Sequence, residues 1–189
     1  MLKFRDLTPE DIDVRVQSVK QNGLVLLLYK NARVDMNILD ETVGPENWQR
    51  EHYECKGNLF CRIGININYS DFEKPERWVW KGDCGTESNT EAQKGEASDS
   101  FKRAGFNWGI GRELYTAPFV WVKAEDCAAL KMNQKTNRMQ CYDTFEVQKI
   151  IIEKKRIVAL AIKNTKTGKT CFVWQDKKWE AEQKVKQNA

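Results

Sequence analysis

The chain has 189 residues, of which 41% are hydrophobic and 31% are charged, and its net charge is +4 at pH 7. This composition is typical of a soluble globular protein with a substantial core. It contains no apolar run near the roughly 20 residues that span a bilayer, and residues 1–11 hold no apolar signal core. We therefore expect a cytoplasmic protein with no membrane partner.

The first segments alternate in hydrophobicity, as strands do. Residues 12–19 (IDVRVQSV) have the period of two that predicts a strand. Asn22-Gly23 is a strong signal for a hairpin turn. Residues 24–29 form an apolar run that predicts the returning strand, buried on both faces.

A helix is predicted next, over residues 32–43. Asn31 can cap its first turn, and Gly44-Pro45 ends it. Its apolar positions follow a period of 3.6 residues and lie on one face: Ala32, Met36, Leu39 and Val43.

The middle of the chain predicts an antiparallel meander followed by a second helix. Three strand-like runs occupy residues 48–55, 59–69 and 77–82, and short connections join them. The second helix begins near residue 89, where Ser88 and Glu91 have the spacing of a capping box. Its apolar stripe is Ala97, Phe101, Ala104 and Trp108.

The last third is richer in strands. Residues 119–122 predict a short strand, and the least regular segment, 124–142, is interpreted as containing a short helix. A second meander is predicted over 144–153, 156–163 and 170–174. The residues after Trp174 form a charged tail that is either helical or disordered. The whole pattern predicts one α+β domain.

Two adjacent cations on the second helix are the main candidates for binding. Lys102 and Arg103 diverge by about 100° around the helix axis, so one residue can lie on each side of a phosphate backbone. Phosphate contacts give affinity without sequence preference. The alternative is two solvated cations flanked by Glu96 and Asp99 one turn earlier.

The glycine-rich turn after this helix is a weaker signal. Residues 109–113 (GIGRE) lack the third glycine of a dinucleotide-binding loop and follow a helix rather than a strand. We interpret the turn as a helix C-cap from which Arg112 projects.

Positive charge is concentrated near the C-terminus. Residues 149–186 hold 11 Lys and Arg against 4 Asp and Glu, whereas the rest of the chain holds 20 against 23. A basic segment of this kind suits a polyanionic partner, and a solvated strand face is the alternative explanation.

The sequence offers little for catalysis or metal binding. The six cysteines form no C-x-x-C pair, and His52 is the only histidine. Zinc sites are recognised by clustered ligands at short spacing, so we expect no metal, no cofactor and free thiols. Because His52 lies in an alternating strand-like run, it is predicted to be exposed rather than catalytic, and the protein is predicted not to be an enzyme.

Two long segments carry a family resemblance. NARVDMNILDETVGPENWQ (31–49) and WVWKGDCGTESNTEAQKGEASDSFKRAGFNWGIGRELY (78–115) resemble the single-strand annealing proteins of the RAD fifty-two type, and most of all their DdrA-like and phage Sak-like branch. The resemblance implies an antiparallel β-meander packed with two main helices. It implies one annealing and oligomerisation domain over 1–175, followed by a tail at 176–189.

The same resemblance implies a function and its residues. Such proteins form rings or helical arcs and bind and anneal single-stranded DNA in recombination and repair without ATP. Lys102 and Arg103 correspond to groove cations, Arg33 lies near another DNA-contacting position, and the loop 45–48 forms the other rim. The candidate DNA-binding residues are Arg33, Asn47, Lys94, Lys102, Arg103 and Arg112.

The chain also departs from the family pattern. A further cation is expected one turn after Arg103, where Phe106 stands, and an aromatic residue is expected where Pro45 stands. The expected partners are single-stranded DNA, further copies of the chain, and a single-strand-binding protein or a recombinase near the nucleoid.

Two other functions remain open from the sequence. A metal-dependent DNA nuclease would use Asp83, Glu87 and Glu91 as ligands, although such sites draw their acids from several elements. An oligomeric scaffold would use Lys102 and Arg103 in ion pairs between subunits instead of binding DNA.

Overall fold

A computed structural model describes residues 2–71, 73–86 and 92–187, apart from the side chains of 92–94 and 187. Eleven strands and three α-helices lie in this part of the chain. The strands are β1 (Asp13–Lys20), β2 (Gly23–Tyr29), β3 (Trp48–Cys55), β4 (Asn58–Asn66), β5 (Trp78–Cys84), β6 (Val120–Lys123), β7 (Leu130–Asn133), β8 (Arg138–Cys141), β9 (Phe145–Glu153), β10 (Arg156–Asn164) and β11 (Lys169–Gln175). The helices are α1 (Ala32–Val43), α2 (Ala92–Trp108) and α3 (Lys177–Gln187).

The chain divides into two compact units. The first unit contains residues 1–6 and 30–112, and the second contains 7–29 and 113–189. In both, neighbouring strands run antiparallel, which confirms the predicted α+β class. None of the helices in the described ranges is long and apolar enough to cross a membrane.

The first unit is a three-stranded sheet with two helices. Its strand order is β3-β4-β5, which confirms the predicted meander. Helix α2 packs against β4 and β5 and also contacts α1. The inward side chains of β4 are fully buried: Cys61, Ile63 and Ile65.

Local chemistry sets the ends of α1 as predicted. The side chain of Asn31 accepts hydrogen bonds from the backbone N–H groups of Arg33 and Val34, and Gly44 (φ 84°) follows the last residue. The predicted buried face is partly wrong, because Val34, Asp35 and Ile38 are buried whereas Ala32 and Met36 are half-buried.

The second unit is built on a six-stranded sheet. The strand order is β11-β10-β9-β1-β2-β6, which contains both the predicted first hairpin and the predicted last meander. Strand β2 buries Leu24, Leu26 and Leu28, but its alternate residues are half-buried, so the prediction of burial on both faces was wrong. The tail forms α3, one of the two predicted alternatives.

The prediction of a short helix within 124–142 is wrong beyond its first turn. Residues Ala124–Asp126 form one turn of 3-10 helix, and β7 and β8 then pair as a hairpin. The segment misleads because its apolar residues are too few to establish either period.

Candidate functional site

All six candidate DNA-binding residues belong to the first unit. Helix α2 carries three of them, and its apolar side fixes its orientation on the sheet. Phe101 and Ala104 are fully buried. The indole N–H of Trp108 donates to the carbonyl of Ile63 at 3.0 Å. Because Lys102 and Arg103 lie between these anchored positions, their directions are set by the packing of the helix.

Lys102 lies on the α1 side of α2. Its charge lowers the pKa of Asp35 on α1, so the two groups are close enough to interact. The residue is half-buried. Lysine at half-buried positions usually packs its aliphatic stem against the protein while its ammonium reaches solvent.

Arg103 lies on the opposite, β5 side of the helix. Its Nε is 3.6 Å from Oδ1 of Asp83, and its side chain is 41% exposed. That Nε is buried and makes no hydrogen bond within the described residues. The ion pair with Asp83 is long and partly exposed, so it orients the guanidinium without neutralising it strongly. The predicted divergence of the two cations is confirmed.

A buried ion pair next to these cations was missed by the sequence reasoning. Nζ of Lys30 is 2.5 Å from both carboxylate oxygens of Asp35, and the two side chains are 1% and 0% exposed. A Cβ on Gly105 would lie 2.3 Å from Oδ1 of Asp35, so only glycine lets α2 approach α1 this closely. The sequence signal was an acid at a core position of α1.

Burial dominates the electrostatics of this pair. Removal from water raises the pKa of Asp35 from 3.8 to about 6, although Lys30 and then Lys102 act to lower it. The ring of Phe106 lies 4.3 Å from Nζ of Lys30. Phe106 stands where the resemblance predicts a cation. Its ring instead packs on the buried ammonium of Lys30.

The side chain of Arg112 is hydrogen-bonded to the end of α2. Its guanidinium donates to the carbonyl of Phe106 at 2.7 and 3.0 Å and to that of Asn107 at 3.2 Å. The N–H of Ile110 bonds the carbonyl of Gly105, and Gly109 has φ 96°. This is a Schellman cap, so the predicted helix cap is confirmed, while DNA binding by Arg112 stays a prediction.

The remaining candidates are placed differently. Arg33 is exposed in the first turn of α1. The side-chain amide of Asn47 donates to the carbonyl of Val43 at 3.0 Å and to Glu46 at 3.2 Å, so it holds the turn after α1. Lys94 is in the first turn of α2, but its side chain lies outside the described residues.

The sheet face away from α2 combines aromatic rings with one cation. Arg62 stacks 4.7 Å from the Trp80 ring and 5.9 Å from the Tyr53 ring, and it pairs with Glu51 at 2.7 Å. A Cβ on Gly64 would lie 2.8 Å from the Trp80 indole, so the glycine lets this ring lie flat on the sheet. Such rings can stack on bases.

Of the three acids considered as nuclease ligands, Asp83 alone lies in the described part of the chain, and two further acids on α2 hold backbone and side-chain donors instead. Glu96 accepts from the backbone N–H of Leu59 at 2.9 Å, and Asp99 accepts from Thr86. Asp83 faces Arg103, whereas the other proposed ligands, Glu87 and Glu91, lie outside the described residues, as does the Ser88 cap. His52 is exposed, as predicted.

The Lys-rich segment 149–169 belongs to the second unit. Lys149, Lys154 and Lys169 are exposed, and Lys163 pairs with Glu146 at 3.2 Å. Both alternatives for this segment, a solvated strand face and a second binding surface, agree with these positions.

The comparison with protein families gives one match. A family model described as Rad52/22 family double-strand break repair protein matches residues 4–133, and this range contains all six candidate residues. No curated protein matches the chain.

Proposed function

The chain belongs to the Rad52/22 family of double-strand break repair proteins, and we propose that it binds single-stranded DNA along α2 and anneals complementary strands without ATP. The observation that carries this proposal is the divergent pair Lys102 and Arg103. Membership of a DNA repair family favours a DNA-binding site. Two cations that diverge around one helix favour a groove that binds the phosphates.

The physical requirements of annealing are modest. Two strands repel each other through their phosphates, and their bases must be kept from pairing within one strand. A row of cations screens the repulsion, and no covalent chemistry is needed. The exposed Arg33 on α1 and the half-buried Lys102 and Arg103 on α2 supply such charges within one unit.

The first unit also favours assembly. Strands β3 and β5 are the outer strands of its sheet, and seven of the eight residues of β3 are exposed. Exposed outer strands are templates for pairing with another chain. We therefore propose that copies join into a ring or arc, so that weak sites act together through multivalency. The DdrA-like branch and the single annealing domain over 1–175 are part of the same proposal.

The salt dependence of binding tests the groove. Each phosphate contact contributes about 0.7 to the slope of log affinity against log salt for single strands. Lys102→Ala/Arg103→Ala removes two contacts, so the slope should fall by about 1.4. Between 50 and 200 mM salt the wild type should then lose about sevenfold more affinity for oligo-dT than the variant.

A matched control variant distinguishes the loss of the groove cations from a general loss of positive charge. Lys74 and Arg77 are exposed on the connection before β5, and Lys74→Ala/Arg77→Ala removes the same charge from the same unit. This variant should keep most of the slope. Equal slopes for the wild type and the Lys102/Arg103 variant would contradict the proposal, and particle size should be unchanged in both variants.

A further inference from the structure

Three potential metal ligands meet at the base of the β7–β8 hairpin. Cys127, Cys141 and Asp143 each bring one ligand atom, and these atoms all lie within 4.8 Å of one another. Elsewhere in the described ranges, no other group of three His, Cys, Asp or Glu residues has this arrangement. The cluster belongs to the second unit, whereas the cations of α2 belong to the first.

The fold assembles this cluster from positions far apart in sequence. Cys127 directly follows the 3-10 turn at Ala124–Asp126, and Cys141 is the last residue of β8. Leu130 pairs with Cys141 across the hairpin. The hairpin therefore brings its two ends together, and Asp143 follows Cys141 by two residues.

The carboxylate of Asp143 has one oxygen held and one without a partner. Its Oδ2 accepts from the N–H of Ala128 at 2.7 Å and from Nδ2 of Asn164 at 2.8 Å. Its Oδ1 is buried and has no hydrogen-bond partner in the described structure, and the residue is 6% exposed. A buried carboxylate oxygen without a hydrogen-bond partner is costly, so a bound cation would stabilise this atom.

We propose that Cys127 Sγ, Cys141 Sγ and Asp143 Oδ1 bind one Zn²⁺ ion. Two thiolates and one carboxylate form a donor set that suits zinc, and they leave the fourth tetrahedral position to water. With Zn–S bonds of about 2.3 Å, two sulfur ligands lie about 3.8 Å apart. The ligand atoms of the cluster, all within 4.8 Å of one another, are close to that spacing.

The surroundings supply what a zinc site needs beyond its ligands. Asn164 is fully buried, and its Nδ2 also donates to the carbonyl of Asp126 at 3.0 Å. It therefore fixes the direction of the carboxylate in the way that second partners orient metal ligands. Both cysteines are half-buried, which gives the ion a path of entry. Binding converts two thiols to thiolates and releases two protons.

The hairpin gives a reason for the ion. Strands β7 and β8 form a separate two-stranded sheet, and all of their residues are half-buried or exposed. Isolated hairpins of this kind are marginally stable. An ion at the base would tie both ends of 127–143 together. Cys141 and Asp143 lie beyond the residues that match the family model.

Metal uptake by the full chain tests the proposal. Reduced, metal-stripped protein is dialysed against micromolar Zn²⁺ and analysed by mass spectrometry for metal, and Co²⁺ is then bound as a spectroscopic probe. One equivalent should bind, and the Co²⁺ form should show the near-ultraviolet absorption of cobalt–thiolate bonds. Hydrogen exchange of the amides in 128–142 should slow when Zn²⁺ is added.

Variants identify the ligands. Cys127→Ser, Cys141→Ser and Asp143→Asn should each lose at least tenfold in Zn²⁺ affinity. Asp143→Asn keeps an acceptor for the N–H of Ala128, so the fold of this variant is expected to survive. Cys84→Ser, in the first unit, is the matched control and should still bind one equivalent. Failure of the wild type to bind Zn²⁺, or equal uptake by all four variants, would overturn the assignment.

Discussion

Breaking the buried pair between Lys30 and Asp35 should destabilise the first unit strongly. Lys30→Met leaves the carboxylate of Asp35, which is 0% exposed, without the ammonium that it pairs with. Loss of one partner of a buried ion pair costs about 3–5 kcal/mol. Lys30→Met/Asp35→Ala removes both charges, so its free energy of unfolding should lie within about 2 kcal/mol of the wild type.

The pH dependence of this effect has a definite sign. Burial raises the pKa of Asp35 from 3.8 in an exposed carboxyl to about 6 in the folded protein. Between these values the folded state binds more protons than the unfolded state, so stability falls as pH rises. Because the full slope of about 1.4 kcal/mol for each pH unit applies only well between the two pKa values, the contribution lost between pH 4 and 6 is about 2 kcal/mol.

Urea unfolding of the wild type and the double variant measures this contribution. The double variant lacks the carboxyl, so its stability relative to the wild type should increase by about 2 kcal/mol from pH 4 to pH 7. The exposed pair Arg5 and Glu41 offers a control, because Glu41→Gln should cost under about 1 kcal/mol. A cost below about 1 kcal/mol for Lys30→Met, or a pH-independent difference between the wild type and the double variant, would refute the reasoning.

Three further substitutions test the packing around α1 and α2. Gly105→Ala places a Cβ 2.3 Å from Asp35 Oδ1 and should lower the free energy of urea unfolding by about 1–3 kcal/mol. Gly57→Ala is the control: its Cβ would meet open space, so it should cost only about 1 kcal/mol, from the positive φ. Asn31→Ala removes the N-cap and should cost about 1 kcal/mol by the same measurement. Arg112→Ala removes the hydrogen bonds to the end of α2 and should lower Tm. The salt slope of DNA binding should be nearly unchanged. A slope reduced as far as in the Lys102/Arg103 variant would instead identify Arg112 as a groove cation.

Local chemistry explains which parts of the fold the sequence predicts. Helix α1 was predicted to the residue, because Asn31 and Gly44 mark its ends by their own hydrogen bonding and backbone freedom. The β3–β4 turn was predicted because Lys56 and Gly57 take the positive φ values of a tight hairpin turn. Such signals need no knowledge of distant residues.

The features that were missed depend on distant partners. Asp35 can be buried because Lys30 pairs with it and because Gly105 leaves space for its carboxylate. The sequence shows an acid at a core position, but it does not show which residue pairs with that acid. The β7–β8 hairpin lacks a hydrophobic period. Cys127 and Cys141 become neighbours only through that hairpin, so spacing along the chain could not reveal their proximity.

The candidate DNA site falls between these cases. The divergence of Lys102 and Arg103 by about 100° follows from helix geometry, and the structure places Lys102 near Asp35 and Arg103 near Asp83. Their acidic neighbours, Asp35 and Asp83, come from α1 and β5. Only the folded chain shows that each cation has an acid beside it, which sets how much charge is left for a phosphate.

Strand annealing itself tests the central claim most directly. Two complementary fluorescent oligonucleotides are mixed with the protein in chelator, without ATP or Mg²⁺, and duplex formation is followed by energy transfer. The account predicts annealing faster than the spontaneous rate, little acceleration by Lys102→Ala/Arg103→Ala, and intact strands at the end. Annealing no faster than without protein, or cleavage of the strands once Mg²⁺ is supplied, would contradict it.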